Sequence, residues 1–148
     1  MNLSKITADL FIGTTPGAGD YQRLRDLGVR LVINMRWEHR LPPDTHAQPL
    51  SLLWLRTMDS PFFPIPMHAL RRGARAALET IQTGGKVYTH CAGGRHRGVA
   101  MGAAVLIAQG HSPREAMDLI KARRPFADPG IFYIRNRILR FAQKWEMA

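Results

Sequence analysis

Short apolar runs alternate with amphipathic stretches along the chain, and this alternation predicts the order of strands and helices. Strands are predicted at residues 10–12, 31–33, 52–55 and 86–89. The runs at 31–33 and 52–55 are continuously apolar, which is typical of buried strands. Helices are predicted at residues 20–27, 67–83, 98–109, 112–125 and 131–145. Proline-bearing loops at residues 36–49 and 59–66 separate some of these elements.

Capping signals and apolar periodicity support three of these helices. Asp20 is a candidate N-cap for the first helix, and Gly28 is its stop. Ser112 and Glu115 form the pattern of a capping box at the start of the fourth. The last helix has one apolar stripe, which we interpret as core: Ile131, Ile134, Ile138, Phe141 and Trp145.

The alternation of strands with helices predicts an α/β fold, a three-layer sandwich with a mainly parallel central sheet flanked by helices. The length, residues 1–148, predicts a single domain. In such sheets ligands bind beyond the carboxyl ends of the strands. We therefore expect Arg36, Trp37, Asp59 and Cys91 to meet at one edge of the sheet.

The composition, 45% hydrophobic and 22% charged, is ordinary for a soluble globular protein. The sequence has no run of eighteen apolar residues, so no transmembrane segment is expected, and its start lacks a signal-peptide pattern. Cys91 is the single cysteine, so no internal disulfide can form, and a cytoplasmic location is expected. The oligomeric state is left open.

The net charge of +10 is concentrated late in the chain, because residues 86–144 carry eleven Lys/Arg and three Asp/Glu, a balance of +8. A basic surface attracts anions such as phosphorylated proteins or small phosphate esters. No nucleic-acid partner is expected, since the basic half lacks the interleaved aromatic residues that stack on bases.

The most informative stretch joins a predicted strand to a predicted helix through a glycine-rich loop: His90-Cys91-Ala92-Gly93-Gly94-Arg95-His96-Arg97-Gly98. The glycines allow successive backbone N–H groups to curl around one anion. The following helix adds free N–H groups and the positive end of its dipole. Arg97 can hold two phosphate oxygens with its planar guanidinium, and the same field stabilises a thiolate at Cys91.

This stretch resembles the C-x5-R signature of the protein tyrosine phosphatase superfamily, and its details resemble the dual-specificity branch. The matching residues are His90, Cys91, Gly94 and Arg97. The family's general acid is an aspartate about thirty residues upstream, and Asp59 lies 32 residues before Cys91. Similar segments occur at residues 10–13, 24–34 and 122–125, so the resemblance covers nearly the whole chain.

The resemblance implies a phosphatase of the tyrosine or dual-specificity type that works through a cysteinyl-phosphate intermediate. Cys91 is then the nucleophile, Asp59 the general acid and Arg97 the phosphate-holding cation. Residues 92–97 form the phosphate-binding loop, and His90 supports it from behind. No metal and no cofactor are needed, and the substrate is a phosphorylated protein or a small anionic phosphate ester.

Two departures from the family pattern bear on chemistry. Gly98 stands where the family usually has a serine or threonine whose hydroxyl helps to stabilise the leaving thiolate, which puts hydrolysis of the phosphoenzyme in doubt. Arg95 and His96 make the loop unusually basic, as in relatives that act on inositol phosphates or phosphoinositides. An inositol-phosphate or phosphoinositide phosphatase is therefore one alternative, and a phosphate-binding pseudophosphatase is another.

Other cysteine or metal sites fit less well. Low-molecular-weight tyrosine phosphatases and arsenate reductases carry C-x5-R near the N-terminus, whereas here it begins at residue 91. A rhodanese-like domain does not call for the upstream aspartate. His39 and His46 could suggest a metal, but no third ligand follows at a useful spacing.

Overall fold

The structure, a computed structural model of the chain, describes residues 1–146. Its strands are β1 (Leu3–Lys5), β2 (Leu10–Gly13), β3 (Val29–Arg36), β4 (Ser51–Thr57) and β5 (Lys86–His90). Its helices are α1 (Tyr21–Asp26), α2 (Met67–Gln82), α3 (Arg97–Ala108), α4 (Pro113–Arg123) and α5 (Phe132–Glu146), and a 3₁₀ turn at Ala18–Asp20 precedes α1.

The five strands form one sheet in the order β1-β2-β5-β3-β4. β1 is antiparallel to β2, and all the other pairings are parallel. α1 packs with the smaller apolar cluster on one face, while the larger cluster on the other face involves α2, α3, α4 and α5. The predicted α/β sandwich with a mainly parallel central sheet is therefore confirmed.

Helix α3 is the most deeply buried helix of the described chain, because every residue from Arg97 to Ile107 is buried. Small side chains allow this close packing. A Cβ atom at Gly102 would lie 2.4 Å from the Cδ1 atom of Ile12 in β2. Since α3 directly follows the central strand β5, its packing fixes the position of the intervening loop.

Three details of the sequence prediction were wrong. β1 was not predicted, because it is a three-residue edge strand of mixed polarity. β4 was predicted to be buried, but it lies at the opposite edge of the sheet and is mostly half-exposed. Asp20 does occupy the N-cap position of α1, but its side chain accepts from the N–H of Gly17 and caps the preceding 3₁₀ turn instead.

The remaining helix signals agree with the structure. Gly28 has a φ of +89°, the left-handed conformation expected after a helix. Ser112 Oγ accepts from the N–H of Glu115, whose carboxylate accepts from the N–H of Ser112, so the capping box is present. None of the helices within residues 1–146 is long and apolar enough to cross a membrane.

Candidate active site

The glycine-rich loop leaves the centre of the sheet, because β5 is hydrogen-bonded to β2 on one side and β3 on the other. Cys91 is 4% exposed and lies where the loop begins. Gly94 has a φ of +63°, and a Cβ atom there would lie 2.8 Å from the carbonyl oxygen of Gly13. Only glycine fits this conformation and this contact without a shift of the neighbouring backbone.

The cleft at this loop has a volume of about 210 Å³ and contains most of the predicted site: Asp59, Cys91, Ala92, Gly93, Arg95, His96 and Arg97. A larger cleft of about 690 Å³ between the β3–β4 loop and β4 has Asn34, Leu41 and Trp54 in its wall, but no nucleophile. The smaller cleft is therefore the candidate active site.

Arg97 is the first residue of α3, and its side chain is buried. Its guanidinium donates to both carboxylate oxygens of Glu38, at 3.1 and 3.2 Å, and to the carbonyl of Thr57 at 2.9 Å. The Nε atom is buried and has no hydrogen-bond partner within the described residues. These contacts fix the plane of the guanidinium before any phosphate binds.

Glu38 follows β3 and is shared between two arginines, since Arg36 Nε also donates to it at 3.0 Å. Burial raises the pKa of Glu38, but the hydrogen bonds from Arg97 and Arg36 outweigh burial and lower the pKa to about 2. Glu38 is therefore a carboxylate at neutral pH, paired with the arginine that faces the cleft.

A second buried arginine braces the loop from behind. Arg124 donates through Nε to the carbonyl of Gly94 at 2.8 Å and through Nη1 to Asn2 and Ser4 of the N-terminal segment. Its side chain is completely buried. The carbonyl of Gly93 also accepts from Arg124, at 3.4 Å, so two loop carbonyls are held on the side of this arginine.

His90 ends β5 and is completely buried against Tyr88, with the two rings stacked at 5.7 Å. Burial lowers the pKa of His90 to about 3, so its ring is neutral at pH 7. Neither ring nitrogen has a hydrogen-bond partner among residues 1–146. That His90 supports the loop stays a prediction.

Asp59 lies on the loop after β4 and joins the cleft through its carboxylate. Its Oδ2 atom is 3.0 Å from Nδ1 of His96, and its Oδ1 atom accepts from the Tyr133 hydroxyl at 2.7 Å. Burial raises the pKa of Asp59, but the hydrogen bonds from His96 and Tyr133 and the charges of His96 and Arg97 lower it on balance.

Three of the four residues expected at the sheet edge meet there. Asp59 and Cys91 line the cleft, and Arg36 donates to Thr15, whose hydroxyl in turn donates to the carbonyl of Cys91. Trp37 does not take part in these contacts, because 53% of its surface faces solvent.

Several known proteins are similar to this chain in sequence or fold. No protein-family model matches the chain. Mouse dual specificity phosphatase 28 is 29% identical over 129 residues, which span 86% of this chain and 77% of that protein. Human dual specificity protein phosphatase 13B is 30% identical over 131 residues, which span 83% and 65% of the two chains. The solved structure of PTPMT1 in complex with PI(5)P has a TM-score of 0.84 and 26% identity, with 98% and 97% of the chains covered.

The chain is similar in sequence and in fold to dual-specificity phosphatases of the protein tyrosine phosphatase superfamily. These similarities support a phosphatase, and the resemblance inferred from the loop motif is confirmed.

Gly98, the departure from this family's usual serine or threonine, has a structural reason. A Cβ atom at this position would lie 3.1 Å from the Cα and carbonyl carbon of His90, which is tighter than an ordinary van der Waals contact. The carbonyl of Gly98 also accepts from the buried Thr89 hydroxyl at 2.7 Å. The start of α3 therefore lies closer to the end of β5 than an alanine or serine allows without a shift.

Sequence reasoning missed Glu38 and Tyr133, because neither belongs to the loop motif. The position of Glu38 beside Arg36, at the edge where ligands bind, was a signal that could have found it. Tyr133 lies 36 residues after Arg97, on a helix with no active-site motif, so the sequence carried no comparable signal.

We predict that Glu38→Gln lowers kcat/KM for p-nitrophenyl phosphate on the order of tenfold, because Arg97 loses its charged partner and its fixed orientation. The variant also changes acid stability. The folded pKa of Glu38 is depressed, so its stabilising contribution is full above about pH 4.5 and is lost as the pH falls towards 2. Urea unfolding should therefore depend less on pH in that window for the variant than for the parent.

Glu79→Gln, on the exposed face of α2, is the matched control and should change neither quantity. Parent-like activity and parent-like acid stability in Glu38→Gln would contradict a role for this carboxylate in holding Arg97.

Proposed function

We propose that residues 1–148 form a single catalytic domain that hydrolyses phosphate monoesters through a cysteinyl-phosphate intermediate, with phosphorylated proteins as the first substrate class. One observation carries the proposal: the only cysteine lies in a small cleft beside the loop N–H groups, the start of α3 and a pre-oriented arginine. That arrangement suits a phosphate dianion and a thiolate nucleophile together.

The first step transfers the phosphoryl group to the protein. The Cys91 thiolate attacks phosphorus, the bond from phosphorus to the ester oxygen breaks, and Asp59 supplies the proton that the leaving oxygen takes. Arg97 and the N–H groups of residues 92–97 hold the equatorial oxygens.

The second step releases phosphate. Asp59, now a carboxylate, takes a proton from water while the water oxygen attacks phosphorus. The bond from sulfur to phosphorus then breaks, and Cys91 leaves as the thiolate. No metal or cofactor enters either step. The cytoplasmic location and the lack of a nucleic-acid partner stay predictions from the sequence.

Cys91→Ser tests the proposal directly. It should abolish turnover of p-nitrophenyl phosphate, because no other cysteine can replace the nucleophile. Binding of inorganic phosphate, followed by calorimetry, should persist, since the loop and Arg97 are unchanged. Residual activity within about tenfold of the parent, with binding intact, would sink the mechanism.

Gly98 gives a second test, which concerns hydrolysis of the phosphoenzyme and separates an enzyme from a pseudophosphatase. Without a hydroxyl at this position, rapid mixing should show a burst of p-nitrophenol before a slower steady state. Gly98→Ser should raise the steady-state rate and shrink the burst relative to Gly98→Ala.

The alanine variant is the matched control, because both substitutions impose the same tight Cβ contact with His90 and only serine adds an oxygen. Equal rates in the two variants, or a parent without a burst, would show that the missing hydroxyl does not limit turnover.

A second candidate function, hydrolysis of inositol phosphates or phosphoinositides, is favoured by Arg95. Its guanidinium lines the cleft and is exposed, and Nε donates to the carbonyl of Phe126 at 3.1 Å. Within residues 1–146 it has no carboxylate partner within 4.0 Å, so its charge remains free for a second phosphate. His96 lacks this freedom, because its ring is paired with Asp59.

Arg95→Ala separates the two substrate classes. If multiply phosphorylated inositols are substrates, their kcat/KM should fall on the order of a hundredfold, as charge-assisted hydrogen bonds are lost, and p-nitrophenyl phosphate should be affected within about threefold. Arg114→Ala, at an exposed site on α4, is the control. Equal losses on both substrates would show that Arg95 serves the loop itself.

A further inference from the structure

We propose that His96 shares the catalytic proton with Asp59, so that the histidine of the phosphate loop and the aspartate of the β4–α2 loop work as one acid–base pair, with Tyr133 as a positioning residue. The proposal rests on the cysteine mechanism above and adds a catalytic residue to it.

The contacts of the three side chains form a closed triangle. Nδ1 of His96 lies 3.0 Å from Oδ2 of Asp59, Oδ1 of Asp59 accepts from the Tyr133 hydroxyl at 2.7 Å, and the hydroxyl oxygen lies 3.3 Å from Nδ1. The His96 and Tyr133 rings also meet edge to face at 5.8 Å. Each residue comes from a different element, so three separate segments converge on the Asp59 carboxylate.

Charged or titratable groups face His96 from every element around it. Asp59 approaches from the β4–α2 loop, Tyr133 from α5 and Asp128 from the α4–α5 loop, where Oδ2 lies 3.9 Å from Nε2 of His96. Arg97 follows it in the chain and begins α3. Nε2 is buried with no hydrogen-bond partner among the described residues, so the proton exchange assigned here involves Nδ1.

Tyr133 cannot supply the catalytic proton in place of His96. Burial and the hydrogen bond to Asp59 raise the pKa of Tyr133 to about 12, so its hydroxyl keeps its proton near neutral pH. An ionised carboxylate only accepts hydrogen bonds, and the Tyr133 donation therefore fixes one oxygen of Asp59. The other oxygen is left to exchange a proton with the imidazole.

The pair resolves a difficulty in the mechanism. A general acid must hold a proton when the leaving oxygen departs, but the pKa of Asp59 lies below its ordinary value in the unliganded cleft. A histidine can hold that proton near neutral pH. The two groups lie within hydrogen-bond distance, so the proton assigned here belongs to the pair and not to either residue alone.

The protons balance over the catalytic cycle. Before the first step the pair holds one transferable proton, on Nδ1 of His96 or on the carboxyl of Asp59. That proton goes to the ester oxygen as its bond to phosphorus breaks, which leaves neutral imidazole and carboxylate. In the second step the attacking water gives its proton to the pair, the bond from sulfur to phosphorus breaks, and the starting state returns.

The test compares pH profiles of kcat/KM for an alkyl phosphate, whose leaving group needs the proton, and for p-nitrophenyl phosphate, whose leaving group needs it less. The parent should lose activity on the alkyl phosphate as the pH rises through the range of about 5 to 8 in which histidine titrates. His96→Asn keeps a donor amide near the position of Nδ1 but removes the titration. In this variant the loss of activity on the alkyl phosphate should begin at least about one pH unit lower than in the parent. Its rate on the alkyl phosphate at pH 7 should be on the order of tenfold below that of the parent.

Two variants serve as controls. Tyr133→Phe should slow the alkyl reaction but keep its loss of activity in the histidine range, because the pair remains. His68→Asn, at an exposed histidine on α2, should leave both profiles unchanged.

Asp59→Asn should keep a small activity on the alkyl phosphate, and this activity should disappear in the double variant with His96→Asn.

A purely structural role for His96 predicts a different result, an equal loss on both substrates with an unmoved profile, and that result would overturn the proposal. So would a parent with no loss of alkyl activity between about pH 5 and 8. Either outcome would leave the cysteine mechanism standing as long as Cys91→Ser is inactive.

Nitrogen NMR of the His96 ring gives a readout that does not depend on turnover. In the folded Cys91→Ser variant, adding Asp59→Asn should change the tautomer that the His96 ring adopts, because the acceptor at Nδ1 is lost. An unchanged tautomer would show that the two groups do not share a proton.

Discussion

Two buried guanidinium groups constrain this fold more than any other feature. A buried cation is costly unless acceptors surround it, so each buried arginine requires several segments of the chain to meet around it. Arg97 needs Glu38 after β3 and the carbonyl of Thr57 at the end of β4. Arg124 needs the loop carbonyl of Gly94 and the polar side chains of Asn2 and Ser4. The two arginines thus tie the phosphate loop to both edges of the sheet.

Two glycines bring the backbone of this loop close to neighbouring segments. At Gly94 the chain turns with a positive φ against Gly13, and at Gly98 helix α3 approaches the end of β5. Close approach brings the start of the helix to the cleft, but it favours glycine at the position where the family usually has a hydroxyl side chain. The tight contact with His90 therefore favours glycine at position 98 over the serine or threonine that is usual in the family.

The sequence predicted those parts of the molecule that depend on local patterns. Apolar runs and caps located β2, β3, β4, β5 and all five helices, and the loop motif pointed to Cys91 and Arg97, which line one cleft. The sequence could not indicate which distant residues would pair with the buried groups, because Glu38 and Tyr133 enter the site through tertiary packing alone. For the same reason β4 was predicted to be buried, since an apolar run does not distinguish a central strand from an edge strand.

The charged groups of the unliganded cleft contact one another, and in the proposed mechanism these contacts connect substrate binding to proton transfer. Glu38 is paired with Arg97, and Asp59 lies within hydrogen-bond distance of His96, so Arg95 is the arginine of the cleft that has no carboxylate partner among the described residues. A phosphate dianion that enters the cleft places negative charge beside Asp59, and a neighbouring negative charge raises the pKa of a carboxyl group. Arg97, which lowers the pKa of Asp59 in the empty cleft, is at the same time engaged by the phosphate. In the proposed mechanism, binding therefore favours the protonated carboxyl at the stage when the leaving group needs its proton, and His96, whose Nδ1 lies 3.0 Å from Asp59, is the group from which that proton comes.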